Sequence, residues 1–311
     1  MENGINQNLV NDVYEVNDMK KSKSAKFISE IKKNKILLLM LLPAFLYFFI
    51  FSYIPMAGTV LAFKNYNFRD GIFGSPFVGF DNFKYFFISG QAFEVTRNTI
   101  LYNSAFIIVN TILQMGMAIL ISEVSRKYFK KFTQTAMFLP YFISWVVVGV
   151  IAYNLLNVEN GTINSLLAKL GFEKVNFYAT TYVWPIILIF ASAWKNVGYG
   201  TVLYLAAIMG IDAEIYEAAK IDGANIFQRI FKVTIPCLVP TMIILTLLAI
   251  GNIFRGDFQM FYQLVGNNGP LFKITDVIDT FTFRSLIQSG EVGMSAATGL
   301  YQSVFYLDNR L

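Results

Sequence analysis

The segment Glu214 to Pro236, E-I-Y-E-A-A-K-I-D-G-A-N-I-F-Q-R-I-F-K-V-T-I-P, carries the most ordered set of functional residue types in the chain. It reads as a helix, a glycine break, a second helix and a proline stop. Ala218 and Ala219 are small enough to let another surface approach closely, and Gly223 tolerates the backbone of a sharp turn. Beyond the glycine, Ile226 with Ile230 and Phe227 with Phe231 fall four residues apart on one apolar face. Gln228, Arg229 and Lys232 lie between them. Pro236 cannot continue a helix interior and marks where the next apolar run begins. Two readings fit: an interfacial helix on a membrane surface, or a pair of short helices docked on a soluble partner.

A second set of polar residues interrupts apolar sequence. Residues 183–194 are apolar, Lys195-Asn196-Val197-Gly198-Tyr199-Gly200 break the pattern, and apolar sequence then resumes. Transporter sites often occur where a span is broken at membrane depth. Asn196 and Tyr199 can hydrogen-bond hydroxyl groups and Trp194 can stack on a sugar ring. The competing reading is structural: Gly198 and Gly200 let helices approach, while Lys195 pairs with a neighbour or snorkels. Asn252, Arg255 and Asp257 close a further apolar run, as an interfacial anchor or as polar contacts. Trp145 and Trp184, near the ends of runs, suit the aromatic belt of a membrane protein.

Catalytic chemistry is poorly provided for. The chain has no His and one cysteine, Cys237, so most nucleophile–base pairs and any His-containing metal site are out. No G-x-x-x-x-G-K-[ST] phosphate loop is present.

The elements that must position these residues are membrane spans. Hydrophobic residues make up 55% of 311 and charged ones 14%, where a soluble domain carries about a quarter charged. A crossing helix needs about 20 mostly apolar residues. Runs of that kind cover Ile36–Phe63, Thr99–Ser122, Thr135–Leu156, Tyr182–Met209 and Cys237–Phe254, and a shorter sixth covers Gly293–Leu307. The first is too long for the apolar region of a cleaved signal peptide. Residues 1–35, with seven Lys and five acids, form a polar tail ahead of a domain spanning 36–311. With the N-terminus inside, the inner segments 1–35, 123–135 and 210–236 hold 14 Lys and Arg against 8 in the outer ones, which predicts a cytoplasmic N-terminus. Most of the net charge of +5 thus encodes orientation, and the tail lysines suit anionic lipid rather than nucleic acid. In the outer segment 156–181, Ile163, Leu166, Leu167 and Leu170 form an amphipathic patch, read as an interfacial helix.

Glu217-Ala218-Ala219, Asp222-Gly223-Ala224 and Pro236, at these spacings, resemble the cytoplasmic EAA signature of bacterial binding-protein-dependent ABC importer permeases. Val233 and Ile235 stand where that family usually has Ile and Leu. Trp194 with Gly198 looks like the fourth span of its sugar permeases. Phe77–Phe83 (F-V-G-F-D-N-F) and Asn268-Gly269-Pro270 with Thr275 look like their outer segments. Tyr53–Tyr66 resembles the subgroup importing oligosaccharides released from complex polysaccharides. The resemblance covers about residues 36–302.

It implies an all-α polytopic fold of the six-span, type I importer kind, with a final span longer than Gly293–Leu307. It also implies partners: a second permease subunit, two ATPase subunits that bind ATP and Mg, and an extracellular lipid-anchored solute-binding protein. The chain itself would hold no cofactor and would not be an enzyme. Glu217 would pair with a basic ATPase residue, Ala218 and Ala219 would allow docking, Gly223 would set the angle between helices, and Ile226, Phe227 and Ile230 would supply buried contact. The function implied is oligosaccharide import by alternating access in a bacterial cell membrane. The alternatives weighed are an ion- or proton-coupled carrier, disfavoured by the near absence of acids within the runs, and a membrane-embedded enzyme.

Overall fold

The computed structural model describes residues 30–308; the tail lysines Lys20, Lys21, Lys23 and Lys26 lie outside them. Among the described residues the regular structure is helical, joined by turns and loops, with one isolated bridge between Lys64 and Phe77. The chain divides between Thr59 and Val60 into two compact units. Helix α1 (Lys35–Phe48) runs on through a π-turn (Phe49–Tyr53) and a 3-10 stretch (Ala57–Phe63), giving a 29-residue apolar helix despite Pro43. None of the residues of α1 is buried.

The second unit is built on two long helices, α3 (Gln91–Ser122), which follows the short α2 (Asp81–Ile88), and α7 (Trp184–Met209). Gly90 starts α3 from a left-handed backbone (φ 75°) that a side chain would strain. At 32 residues and 1.5 Å per residue, α3 is about 48 Å long and outreaches the roughly 30 Å hydrocarbon layer. Helix α7 is sandwiched between α3 and α4 (Lys127–Phe142). A Cβ on Gly198 would collide with the main chain of Met137 and Phe138, and one on Gly200 with the Gln114 amide. Both glycines are therefore close-approach points.

Between α4 and α5 (Trp145–Leu156) the chain turns by 94°. Pro140 sits in the last turn of α4, Ile143 is extended, and the Ser144 hydroxyl caps α5 by accepting from Val147 N–H. The run expected as one span over Thr135–Leu156 is thus a broken pair. The amphipathic patch forms α6 (Thr162–Lys169). Two further helices, α8 (Ala213–Ile221) and α9 (Ile226–Arg229), form the loop of the EAA-like segment, and α10 (Ile235–Ile250) is the next long apolar helix. Four short to medium helices complete the chain: α11 (Phe258–Val265), α12 (Gly269–Thr275), α13 (Ile278–Ile287) and α14 (Val292–Asp308). Among the described residues, four continuous helices are long and apolar enough to cross a membrane, and a fifth if α4 and α5 count together. The sixth expected run is α14, 17 residues long.

Three apolar clusters hold the second unit. One joins Tyr102, Trp145, Trp184, Leu188, Met260 and Phe261 from α3, α5, α7 and α11. The next joins Ala118, Ile119, Ile121, Tyr204, Leu205, Ile208 and Leu238 where α3, α7 and α10 approach the EAA-like loop. The third sets Phe86 and Val95 against Ile278 and Phe281. Trp145 and Trp184 are buried at 6% and 0% exposure, which corrects their aromatic-belt reading. Their indole N–H groups bond Asp257 and the Phe177 carbonyl, so both rings sit in the core with no unsatisfied donor.

Gly198→Leu is expected to push α4 off α7 and lower stability by about 1–3 kcal/mol. Thermal unfolding of the detergent-solubilised protein checks this, and an unchanged midpoint would show that the glycine is not a close-approach point.

Candidate functional site

The EAA-like segment folds as an exposed elbow. Asp212 caps α8 by accepting from Glu214 N–H. At the other end Gly223 has φ 76°, Gly223 N–H donates to the Lys220 carbonyl (3.0 Å) and Ala224 N–H to the Ala219 carbonyl (2.9 Å). That pair of bonds is a Schellman termination, for which glycine is the residue without steric cost. Asn225 then starts α9 through a capping box with Gln228, the bonds being 2.9 and 2.8 Å. Both helix ends at the elbow are thereby satisfied locally, and the bend is fixed by sequence.

Glu217, Ala218, Asp222, Ile226 and Phe227 are exposed on this elbow, with Phe227 at 69%, and Ala219 is half-buried. Ile230 instead turns inward onto the cluster of Ile119, Tyr204 and Leu205. Pro236 does not stop the helix. A π-turn, Ile230–Thr234, carries α9 directly into α10, and its shifted hydrogen-bond register accommodates Pro236 within the helix. The helix from Ile226 to Ile250 is one continuous 25-residue rod, a correction to the helix–stop reading.

The polar interruption at residues 195–200 does not break α7 either. The Asn196 amide donates back to the Ser192 carbonyl (2.9 Å), and Asn196's own carbonyl accepts from Gln114 (3.3 Å), so the helix absorbs its polar residues. Trp194 and Asn196 lie about 160° apart around α7 and do not share a face. Tyr199 stacks on Tyr141, with ring centres 4.8 Å apart and planes at 13°.

Lys195 is buried and neither snorkels nor meets a carboxylate directly. Its ammonium donates to the carbonyls of Pro140, Tyr141 and Ile143, the groups freed at the α4–α5 break, and lies 5.2 Å from the centre of the Trp145 ring. The Trp145 N–H in turn donates to Asp257 (3.0 Å). The break in the membrane domain is therefore between α4 and α5, with Lys195 as its anchor.

Asn252, Arg255 and Asp257 line an open cleft with Asn103, Gln259 and Asp279. The stretch between α10 and α11 is held from four sides. Asn103 of α3 donates to the Ile253 and Arg255 carbonyls, Gln302 of α14 to the Phe254 carbonyl, Gly256 N–H donates to Asp279, and Trp145 holds Asp257. None of Trp194, Asn196 and Tyr199 lines this cleft, so the six residues expected along one path form two separate groups. Asn103, Asp279 and Gln302 were not singled out from sequence; each is an isolated polar residue in a mixed stretch, with no spacing signal to mark it.

The chain matches the family described as binding-protein-dependent transport system inner membrane component over residues 110–305. It is 35% identical to protein LplB of Bacillus subtilis strain 168 over 91% of this chain and 88% of that one. It is 33% identical, with the same coverage, to the polygalacturonan/rhamnogalacturonan transport system permease protein YteP of the same organism. Its fold superposes on a permease chain in the crystal structure of a bacterial alginate ABC transporter in complex with alginate pentasaccharide-bound periplasmic protein, with TM-score 0.80, 32% identity, and 90% and 93% of the two chains covered. The chain belongs to the binding-protein-dependent transport permease family. It is a membrane component of an ABC transport system, and the ion-coupled carrier reading is set aside.

Burial holds the Asp279 carboxyl above the usual carboxylate range, and the Gly256 N–H, the Gln302 amide and the Arg255 charge offset this only in part. A raised native pKa means that the folded state binds the proton more tightly. Its stabilising contribution is full below the ordinary carboxylate value and is lost as pH rises through the native one. Asp279→Asn should flatten the fall in melting temperature as pH rises above about 4, which is close to the ordinary Asp value. Identical pH slopes for the two proteins would show that Asp279 does not contribute.

Proposed function

We propose that this chain is the permease subunit of an ATP-driven importer of oligosaccharides, driven through the elbow at Gly223. The observation that carries the reading is mechanical: of the exposed helix pair between Glu217 and Phe227, the second helix, from Ile226, continues without interruption into a membrane-length helix. Glu217, Ala218, Ala219 and Asp222 face a cytoplasmic ATPase, Glu217 pairing with a basic residue there. Ile226 and Phe227 supply the apolar contact. Two ATPase subunits hold ATP and Mg; a second permease chain completes the path; an extracellular lipid-anchored binding protein delivers the sugar. The N-terminus is cytoplasmic, residues 1–35 form the tail and 36–311 the membrane domain, with the tail lysines on anionic lipid. The names of the relatives, which concern polygalacturonan, rhamnogalacturonan and alginate, support the oligosaccharide class.

Sugar passes the cleft of Asn252, Arg255 and Asp257, and Tyr199 with Asn196 on one side of α7 and Trp194 on the other form a second part of the path. ATP binding and release shift the chain between two states, and the sugar biases them only by contacting one better than the other. Purified complex in proteoliposomes, supplied with its binding protein and a panel of neutral and uronic oligosaccharides, tests this directly; ATP-dependent uptake of amino acids or metals alone would overturn the substrate class.

Gly223→Pro is the coupling test. Proline lacks the N–H given to Lys220 and fixes φ near −65°, against the 76° required. The variant should insert and assemble, hydrolyse ATP, and lose uptake by about 10-fold or more, a factor worth about 1.4 kcal/mol of coupling. Wild-type uptake would exclude the elbow as the coupling element.

A further inference from the structure

Helix α3 ends at Ser122, and its C-cap residue is Glu123. A carboxylate there faces the negative end of a 32-residue helix and is locally unfavourable. Its partner lies 106 residues away in sequence: Arg229, on the last turn of α9, meets Glu123 at 3.6 Å. The pair is largely shielded, at 17% and 29% side-chain exposure for Arg229 and Glu123. Arg229 Nε is buried and makes no hydrogen bond among the described residues, so the contact with Glu123 is made by the guanidinium Nη2. The ion pair thus joins the rod containing α9 and α10 to the end of α3 at the coupling-loop side.

Around it the joint is specific. The π-turn begins at the residue after Arg229, and the Thr234 hydroxyl reaches back toward the Arg229 carbonyl. The Tyr216 hydroxyl of α8 bonds the Thr234 hydroxyl at 3.0 Å, so the first helix of the elbow is tied to the same turn. Ile230 and Ile235 pack on the cluster of Ile119, Ile121 and Tyr204 beside the ion pair. A displacement of the elbow therefore meets α3 at Arg229 before it meets anything further along α10.

We propose that Glu123–Arg229 is a positioning pair that divides elbow movement between two membrane helices, α3 and α10, so that both answer the ATPase together. The proposal rests on the coupling role given above to the elbow. Without the pair the elbow still docks and ATP is still hydrolysed, but α3 no longer follows, and turnover is spent without transport. Arg229 and Glu123 touch no substrate in this role.

The experiment reads ATP hydrolysed per sugar transported, in the full complex in proteoliposomes. Glu123→Gln and Arg229→Gln remove one charge without repulsion, and Glu123→Arg with Arg229→Glu restores the pair in reverse. Each neutral variant is expected to raise the ratio roughly 5-fold or more, the lower end of coupling energies between sites, and the swap to bring it back toward wild type. Wild-type ratios in both neutral variants would overturn the pair. So would a raised ratio that the swap fails to restore, because the residues would then act separately. An assembly defect in the neutral variants that the swap also fails to repair counts against the pair as well. Gly223→Pro distinguishes the two ideas: if it uncouples while the neutral variants do not, the elbow stands and the pair falls; if it transports normally, the elbow itself falls.

Discussion

At the break between α4 and α5, main-chain carbonyls lose their helical partners in a region whose sequence is written for lipid. Without water, each such group must find a partner inside the protein or cost several kcal/mol. One ammonium, on Lys195, serves Pro140, Tyr141 and Ile143 together. The dependence runs both ways, since a buried ammonium is tolerable only where several oxygens and ring faces replace its hydration. Bend and cation stabilise one another. One side of the cleft inherits its position from this point: Lys195 fixes the Trp145 ring, Trp145 fixes Asp257, and Asp257 caps α11 by accepting from Met260 N–H.

The opposite end of the same domain is organised on another principle. There the backbone is satisfied by local motifs, the Schellman turn at Gly223 and the capping box of Asn225 and Gln228. Such motifs need only a few consecutive residues, so the elbow keeps its shape while its outer face stays free for a partner. The π-turn that follows is where a helix is most easily adjusted, and π-turns recur at functional sites. A rigid elbow on an adjustable joint lets movement pass into the membrane helix without the elbow itself unfolding.

This contrast explains what could be read from the sequence. Gly223, the two short helices of the loop and the apolar helices behind them were legible because the determinants are local: one glycine, one cap, a run of apolar residues. The bend between α4 and α5 was not, because the residue that makes it stable, Lys195, lies more than 50 residues downstream on another helix. For Lys195 and its polar neighbours the sequence left two readings open, a broken span or a packed helix, and the structure is the packed helix. Gly198 and Gly200 lay in the same stretch, and glycine looks alike in sequence whether it admits a turn or a neighbouring helix. Only the placement of Met137 and Gln114 decides that both are contacts. Pro236 misled for a related reason: it follows a π-turn, whose shifted hydrogen-bond register lets a helix run on through a proline.

The cleft has a property that bears on its proposed role. Its acids are already engaged: Asp257 accepts from Trp145 and Met260, and Asp279 from Gly256 and Gln302. The Asn103 amide is likewise spent on the carbonyls of Ile253 and Arg255. A sugar entering there finds groups whose strongest bonds are made to the protein, and Arg255, an exposed cation, is partly balanced by Asp279. Such a surface, with its acids and Asn103 engaged and Arg255 and Gln259 exposed, can accompany a passing hydroxyl or carboxylate without holding it from every side. For a path this is an advantage, because a solute bound too well in one state cannot leave it, and only a difference in affinity between states does work. Under the proposed function, tight selection belongs to the partner that delivers the sugar, while this chain needs only to be permissive and correctly bent.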